Sequence, residues 1–235
     1  MKMGKGKLFM IPNLIASVNP ETCFSTLWKM EIAHIKDFVV EDVRSARQFL
    51  SSLKVFTSIE ALNFAVLNRE TPKEALPALL SVIQEGKDIG IISESGCPGV
   101  ADPGSHAVAW AHDHHITVRP LVGPSSIILA LMASGMNGQR FTFQGYLPIE
   151  QKNLHNAISG LEKESKSGTI TQIFIESPHR NNRLLGTLKK VLSPNVRLCV
   201  ACDLTGPNEK IISERVQNWP EIELPKMPCI FLFQA

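Results

Sequence analysis

Short apolar runs alternate along this chain with longer amphipathic stretches. Lys7 to Ile11, Asp37 to Val40, Ile89 to Ile92 and Thr117 to Val122 are predicted strands. Their nearly continuous apolar character suits a parallel sheet covered on both faces. Between them the spacing turns helical. Thr71-Pro72-Lys73-Glu74 predicts a helix start, with Thr71 as N-cap, a proline at the first position and an acid at the third. Leu76, Leu79, Leu80 and Ile83 carry the helix on, and Gly86 ends it. Strand and helix in alternation predict a doubly wound α/β domain.

The second half is patterned differently. Ser125 to Ser134 and His179 to Leu192 are predicted helices, the latter with Leu184, Leu185, Leu188 and Leu192 on one face. Thr142 to Leu147, Ile170 to Glu176, Val196 to Asp203, Lys210 to Ser213 and Pro228 to Phe233 are predicted strands. Strands that follow one another near the end predict antiparallel pairing. The expectation is therefore an α/β protein of two domains, the first with a mainly parallel sheet and the second with a mixed one. Pro120, Gly123 and Pro124 interrupt regular structure, so the boundary is set there: residues 1–120 and 121–235.

Composition narrows the class. Of 235 residues, 44% are hydrophobic and 20% charged, which excludes a disordered chain. The net charge of +2 permits a nucleic-acid partner without arguing for one. No leader-like segment opens the chain, and no apolar run approaches the ~20 residues of a membrane span. With five cysteines, an odd number, the expectation is a cytoplasmic protein with reduced thiols.

Candidate chemistry concentrates in two segments. Ser93-Glu94-Ser95-Gly96-Cys97-Pro98-Gly99-Val100-Ala101-Asp102-Pro103-Gly104 joins a predicted strand to a helix. In open α/β sheets ligands bind beyond the carboxyl ends of strands, and small residues admit a ligand to the backbone. The segment is neither a P-loop nor a Gly-x-Gly-x-x-Gly turn. By itself it reads equally well as a glycine-rich turn, with Asp102 a helix N-cap and Pro103 the first helical residue. Leu121-Val122-Gly123-Pro124-Ser125-Ser126-Ile127 again joins strand to helix, and its serines suit a helix cap as well as a ligand.

Together these two segments resemble the tetrapyrrole methylase superfamily, and within it the 16S ribosomal RNA (cytidine) 2′-O-methyltransferase branch. Val40-Glu41-Asp42-Val43-Arg44, Glu85-Gly86-Lys87-Asp88, Phe143-Gln144-Gly145-Tyr146-Leu147-Pro148, Glu176-Ser177-Pro178-His179-Arg180 and Asp203-Leu204-Thr205 are similar to further segments of that branch, in the same order. The resemblance runs from about residue 7 to 233, in a short form that lacks the branch's C-terminal extension. It implies a homodimer with S-adenosylmethionine held in a cleft between the two domains. The cofactor is then expected against Ser93, Glu94, Cys97 and Val100, against Ser125, Ser126 and Ile127, and against the backbone near Phe174, Leu204, Met227 and Pro228.

The reaction so implied is in-line displacement at a sulfonium methyl, for which the protein aligns the reactants and excludes water. A ribose hydroxyl benefits from a general base. Glu41, Asp42 and Glu94 are the candidates, with Asp42 favoured; an acid at a helix N-terminus is the competing explanation of Asp42. Asn13 is expected at the acceptor, and Arg44, Arg47 and Arg180 at ribosomal RNA phosphates. Arg180 equally suits an ion pair with Glu176 one helical turn away.

The acceptor side departs from the branch. Ile11-Pro12-Asn13-Leu14-Ile15-Ala16-Ser17 stands where the branch has Thr-Pro-Ile-Gly-Asn-Leu, Val66-Leu67-Asn68 stands for Glu-His-Asn, and Lys226-Met227-Pro228 for Lys-Gly-Glu. Two alternatives therefore stay open: methylation of a tetrapyrrole or other small molecule, and a non-catalytic S-adenosylmethionine-binding protein. His112, His114 and His115 suit a solvated helix end, since no Cys or Glu partner completes a metal set, and no metal or membrane is expected. Cys199 and Cys202 lie inside an apolar strand, so they read as core rather than as a redox motif.

Overall fold

The computed structural model describes residues 4–235. The chain divides into two compact units, Met1–Ser125 and Ser126–Ala235.

The first unit begins with β1 (Leu8–Ile11), α1 (Thr26–Ile32), β2 (Asp37–Val40) and α2 (Val43–Leu53). β3 (Asn63–Val66), α3 (Leu76–Leu79), β4 (Ile89–Ile92), α4 (Gly104–Asp113) and β5 (Val118–Pro120) complete it. The strands form one sheet in the order β3-β2-β4-β1-β5, and every pairing is parallel. Successive residues of a strand face opposite sides. Phe9 and Ile11 of β1, with Phe38 and Val40 of β2, accordingly pack against α1 and α2 through Trp28, Ile32, Phe49, Leu50 and Leu53. Leu8, Met10, Val39, Ile89 and Ile91 pack on the other face with Leu76, Leu80, Ile83, Ala107 and Ala111. Both faces are covered, which is why these strands lack a polar alternation. Gly90 is the exception in β4: a Cβ there would stand 2.6 Å from Ile11 Cδ1 and 2.8 Å from the Phe38 ring.

The predicted helix over 71–85 is broken into pieces. Lys73–Ala75 and Ser81–Glu85 are 3-10 turns flanking the single turn of α3. Pro77 within α3 has no N–H to continue a preceding helix, so the chain restarts there. Gly86 ends the run in the left-handed region as expected (φ 86°). Thr71 is not the cap. Its Oγ1 accepts from the Asn68 N–H at 3.0 Å and bonds Asn68 Oδ1 at 3.1 Å. The strand β3 was not anticipated, because as an edge strand it has no fully buried residue to mark it.

The second unit runs α5 (Ser126–Ser134), β6 (Phe141–Tyr146), α6 (Gln151–Gly168), β7 (Thr171–Glu176), α7 (Asn181–Val191), β8 (Arg197–Cys202), β9 (Lys210–Arg215) and β10 (Cys229–Gln234). Its sheet has the order β6-β7-β10-β8-β9. β6 pairs parallel with β7, and the remaining pairings are antiparallel. The sheet is mixed, as the pattern predicted. The core joins Phe174, Phe231 and Phe233 to the leucines of α7. α6 escaped prediction because only Leu154, Ile158 and Ser165 of its 18 residues are buried.

Candidate active site

The strand ends of the first unit are level. Ile11 pairs with Ile92, Ile92 with Val40, and Val40 with Val66. The residues that follow are Pro12-Asn13, Ser93-Glu94, Glu41-Asp42 and Leu67-Asn68. These four segments therefore emerge at one edge, the carboxyl edge of a parallel sheet, where open α/β folds place their ligands, whereas Glu85-Gly86-Lys87-Asp88 enters β4 at the opposite edge.

Three of these segments are tied to one another. Asn13 forms an isolated bridge with Gly96, its N–H donating to the Gly96 carbonyl at 2.9 Å. Its side-chain amide donates to the carbonyls of Ser93 (3.0 Å) and Glu94 (3.1 Å) and accepts from the Leu14 N–H (2.7 Å). Ser93 is buried and its hydroxyl donates to the Gly96 carbonyl at 2.8 Å. Cys97 donates to the Pro124 carbonyl at 3.4 Å, and burial pushes its thiol up. Gly123 presses on Pro12 so closely that a Cβ would fall 2.2 Å from it. Gly96 and Gly99 sit at φ 69° and 82°, where other residues are strained, and Ala101 adopts φ 57° without being glycine. Asn13 and Ser93 thus spend their side chains on building the loop. Glu94 and Val100 remain exposed, Val100 by 51%. Ser125 closes the first unit, while Ser126 and Ile127 open α5 in the second.

The carboxylates separate clearly. Asp42 is the N-cap of α2: its Oδ1 accepts from the Ser45 N–H at 2.7 Å, and that bond holds its carboxyl below the ordinary value. Glu41 differs. Burial first, and a hydrogen bond to Asp102 second, raise its carboxyl to about 7, although Oε1 also accepts from the Glu94 N–H at 3.2 Å. Asp102 is itself pinned, its Oδ1 accepting from Gly99 (2.8 Å) and Gly104 (2.6 Å). The cap of α4 falls on Pro103 rather than Asp102, so the acid serves from one residue earlier.

Of the anticipated arginines, Arg44 is exposed on α2. Arg47 lies over the Phe64 ring, 5.3 Å from its centre. Arg180 is paired with Glu176 through Nε (2.9 Å) and Nη2, and bonds Ser177 Oγ at 3.1 Å. Arg69 and His106 were not singled out, yet with Asn68, Thr71 and Asp102 they line a cavity of about 280 Å³. The available signal was position alone, Arg69 in the segment after β3 and His106 in the first turn of α4.

In the second unit, Glu176, Cys229 and Cys202 lie abreast at one end of the sheet. Arg180, Met227, Pro228 and Leu204 sit in the segments leaving that end. Phe174 is core, stacked on Phe231, so only its backbone is available. Two buried polar atoms beside this end, Asn181 Oδ1 and Thr205 Oγ1, have no hydrogen-bond partner among the described residues. Asn181 Nδ2 donates to the Met227 carbonyl at 2.8 Å, and Thr205 adopts φ 68°. Cys199 and Cys202 are buried in β8 as thiols. His114 ends α4 and stacks on Trp110. Among the described residues, no group of three or more His, Cys, Asp or Glu is placed to hold a metal. No described helix is long and apolar enough to cross a membrane.

These features define an α/β protein with an internally braced loop at the carboxyl edge of a parallel sheet. A family model for Tetrapyrrole (Corrin/Porphyrin) Methylases matches residues 35–219. Ribosomal RNA small subunit methyltransferase I of Escherichia coli O157:H7 is 31% identical over 208 residues, 88% of this chain and 68% of that protein. Its namesake from Micromonospora olivasterospora is 31% identical over 92% of this chain and 64% of its own length. The chain spans about two thirds of the length of these curated relatives. The methyltransferase CobJ shares the fold with a TM-score of 0.63 at 17% identity, covering 98% of this chain and 95% of its own. A uroporphyrin-III C-methyltransferase from Thermus thermophilus, complexed with S-adenyl homocysteine, does so with a TM-score of 0.56 at 12% identity and 98% coverage of both. The chain belongs to the tetrapyrrole (corrin/porphyrin) methylase family.

Proposed function

We propose that this protein transfers the methyl group of S-adenosylmethionine to a ribose 2′-hydroxyl of small-subunit ribosomal RNA. The observation that carries the reading is the prebuilt loop cluster, in which Asn13, Ser93, Gly96 and Gly123 lock three segments of the sheet's carboxyl edge. The relatives named for ribosomal RNA supply the acceptor class.

The residues present fit the donor. Glu94 and Val100 are exposed on a loop whose glycines open the backbone, and Ser125, Ser126 and Ile127 continue from the next strand. In the second unit the unpartnered Asn181 Oδ1 and Thr205 Oγ1 offer polar groups beside Leu204, Met227 and Pro228. When bound, the donor supplies an electrophilic methyl on a sulfonium, which leaves as a neutral thioether. The chain holds and orients the reactants and takes a proton. Glu41 suits that last task better than Asp42, because a base works best with its ionisation near the working pH. Asp42 is held low and committed to its helix. We further read the protein as a cytoplasmic homodimer, supported in the second unit by the exposed Ile128, Met132, Phe141 and Tyr146.

The test is transfer of a labelled methyl group to small ribosomal subunits from a strain lacking this protein, followed by nucleoside mass spectrometry. A new 2′-O-methylnucleoside is expected. Label on a tetrapyrrole instead, or donor binding without transfer to any acceptor, would overturn the RNA reading.

A further inference from the structure

We propose that the cavity between the segment after β3 and the start of α4 is a phosphodiester site, in which Arg69 and His106 grip an RNA strand beside the methylated nucleotide. The proposal rests on the RNA reading above.

The cavity, about 280 Å³, opens at the carboxyl edge of the sheet. One wall is Asn68, Arg69 and Thr71, and the other is Ala101, Asp102 and His106. Two of its side chains are uncommitted: among the described residues, neither the Arg69 guanidinium nor the His106 ring has an ion pair or a hydrogen bond. Arg47 and Arg180, by contrast, are already engaged. The wall that carries Arg69 is rigid. Asn68 Oδ1 accepts from the Glu70 N–H (3.0 Å) and bonds the Thr71 hydroxyl (3.1 Å), while its Nδ2 has no hydrogen bond among the described residues.

The one acid in the lining does not oppose an anion freely. Asp102 has Oδ1 occupied by two backbone N–H groups and its carboxyl hydrogen-bonded to Glu41, which keeps its proton up to about pH 7. A planar guanidinium with five donors, flanked by a second ring donor and an amide, matches the two free oxygens of a phosphodiester. β2, which Glu41 directly follows, lies between β3 and β4 in the sheet, so the grip flanks the proposed base.

The test uses the full-length protein, a fluorescein-labelled single-stranded RNA oligonucleotide and 5′-AMP, with Arg69→Glu and His106→Gln compared against the wild type and Arg69→Lys. S-adenosylhomocysteine affinity is measured in every variant as the control for folding and for the donor site. Arg69→Glu is expected to weaken RNA binding by about tenfold and to reduce the salt slope by about one, leaving S-adenosylhomocysteine affinity unchanged. Arg69→Lys is expected to retain the charge contribution but lose the bidentate part. RNA binding by Arg69→Glu equal to the wild type, in affinity and in salt slope, overturns the site while leaving the RNA reading intact. Arg69-dependent binding of 5′-AMP with none of RNA upholds the phosphate chemistry and overturns the RNA reading. Binding of neither by the wild type overturns both.

Discussion

Replacing Glu41 by Gln should make the protein less sensitive to pH, and more stable above neutrality. The wild-type carboxyl is raised from its ordinary 4.5 to about 7, chiefly by burial and then by its bond to Asp102. For an acid whose folded value is raised, the unfolded chain ionises first. Its favourable contribution is complete below pH 4.5, declines between 4.5 and 7, and is gone above 7. A fully shielded carboxyl would lose about 3 kcal/mol across that window. Glu41 is only partly buried, so screening reduces this to about 1 kcal/mol. Gln keeps both bonds, since its amide donates to Asp102 and its oxygen accepts from the Glu94 N–H. Urea titrations at pH 4.5, 6 and 8.5 measure the difference. The variant should match the wild type at pH 4.5 and exceed it by about 1 kcal/mol at pH 8.5, some 2–4 °C in Tm. A variant that follows the wild-type pH dependence, or is weaker at pH 8.5, refutes the account of Glu41 as a shielded, protonated acid.

The other predictions test neighbouring parts of the same edge. Asp42→Ala should lower the melting temperature at neutral pH but not at pH 2, because a cap held below its ordinary value loses its benefit as pH falls through that value; methyl transfer should survive, whereas Glu41→Gln should flatten the rise of kcat with pH around 7. Asn13→Ala removes the amide that holds Ser93 and Glu94, and should cost about 1–3 kcal/mol and weaken S-adenosylhomocysteine binding in calorimetry. Gly123→Ala drives a methyl into Pro12 and should destabilise by about 1–3 kcal/mol, with donor affinity falling in parallel. Gly90→Ala should cost a similar amount by crowding Phe38 and Ile11, yet leave donor affinity unchanged because it lies in the core.

Much of the fold could be read from residue pattern because burial dictates it. β1, β2 and β4 are buried on both faces and must be apolar throughout, so their runs are unmistakable. β3 and α6 were missed for the complementary reason. An edge strand and a helix with three buried residues leave little apolar signal, and their place comes from tertiary pairing. The broken helix over 71–85 shows a local rule overriding a periodic one. Leucine spacing fits a helix well, but Pro77 removes the N–H that would carry it across.

Function was less legible, since residue type does not say whether a side chain is free. Asn13 and Ser93 have the chemistry of ligand contacts, and the fold uses both as loop scaffolding. Adjacent acids Glu41 and Asp42 look interchangeable in sequence, but one is an exposed cap and the other a shielded acid bonded across to Asp102. The arginines make the same point. Arg180 stands in a segment that matches the family and Arg47 lies just beyond one, and each is spent on an internal partner. Arg69 stands where the branch's histidine pattern is lost, and its charge is left available beside a polar cavity. Loss of a family residue therefore need not mean loss of the function at that edge. A chain that drops one polar group can recruit another two residues away, provided that both follow the same strand end.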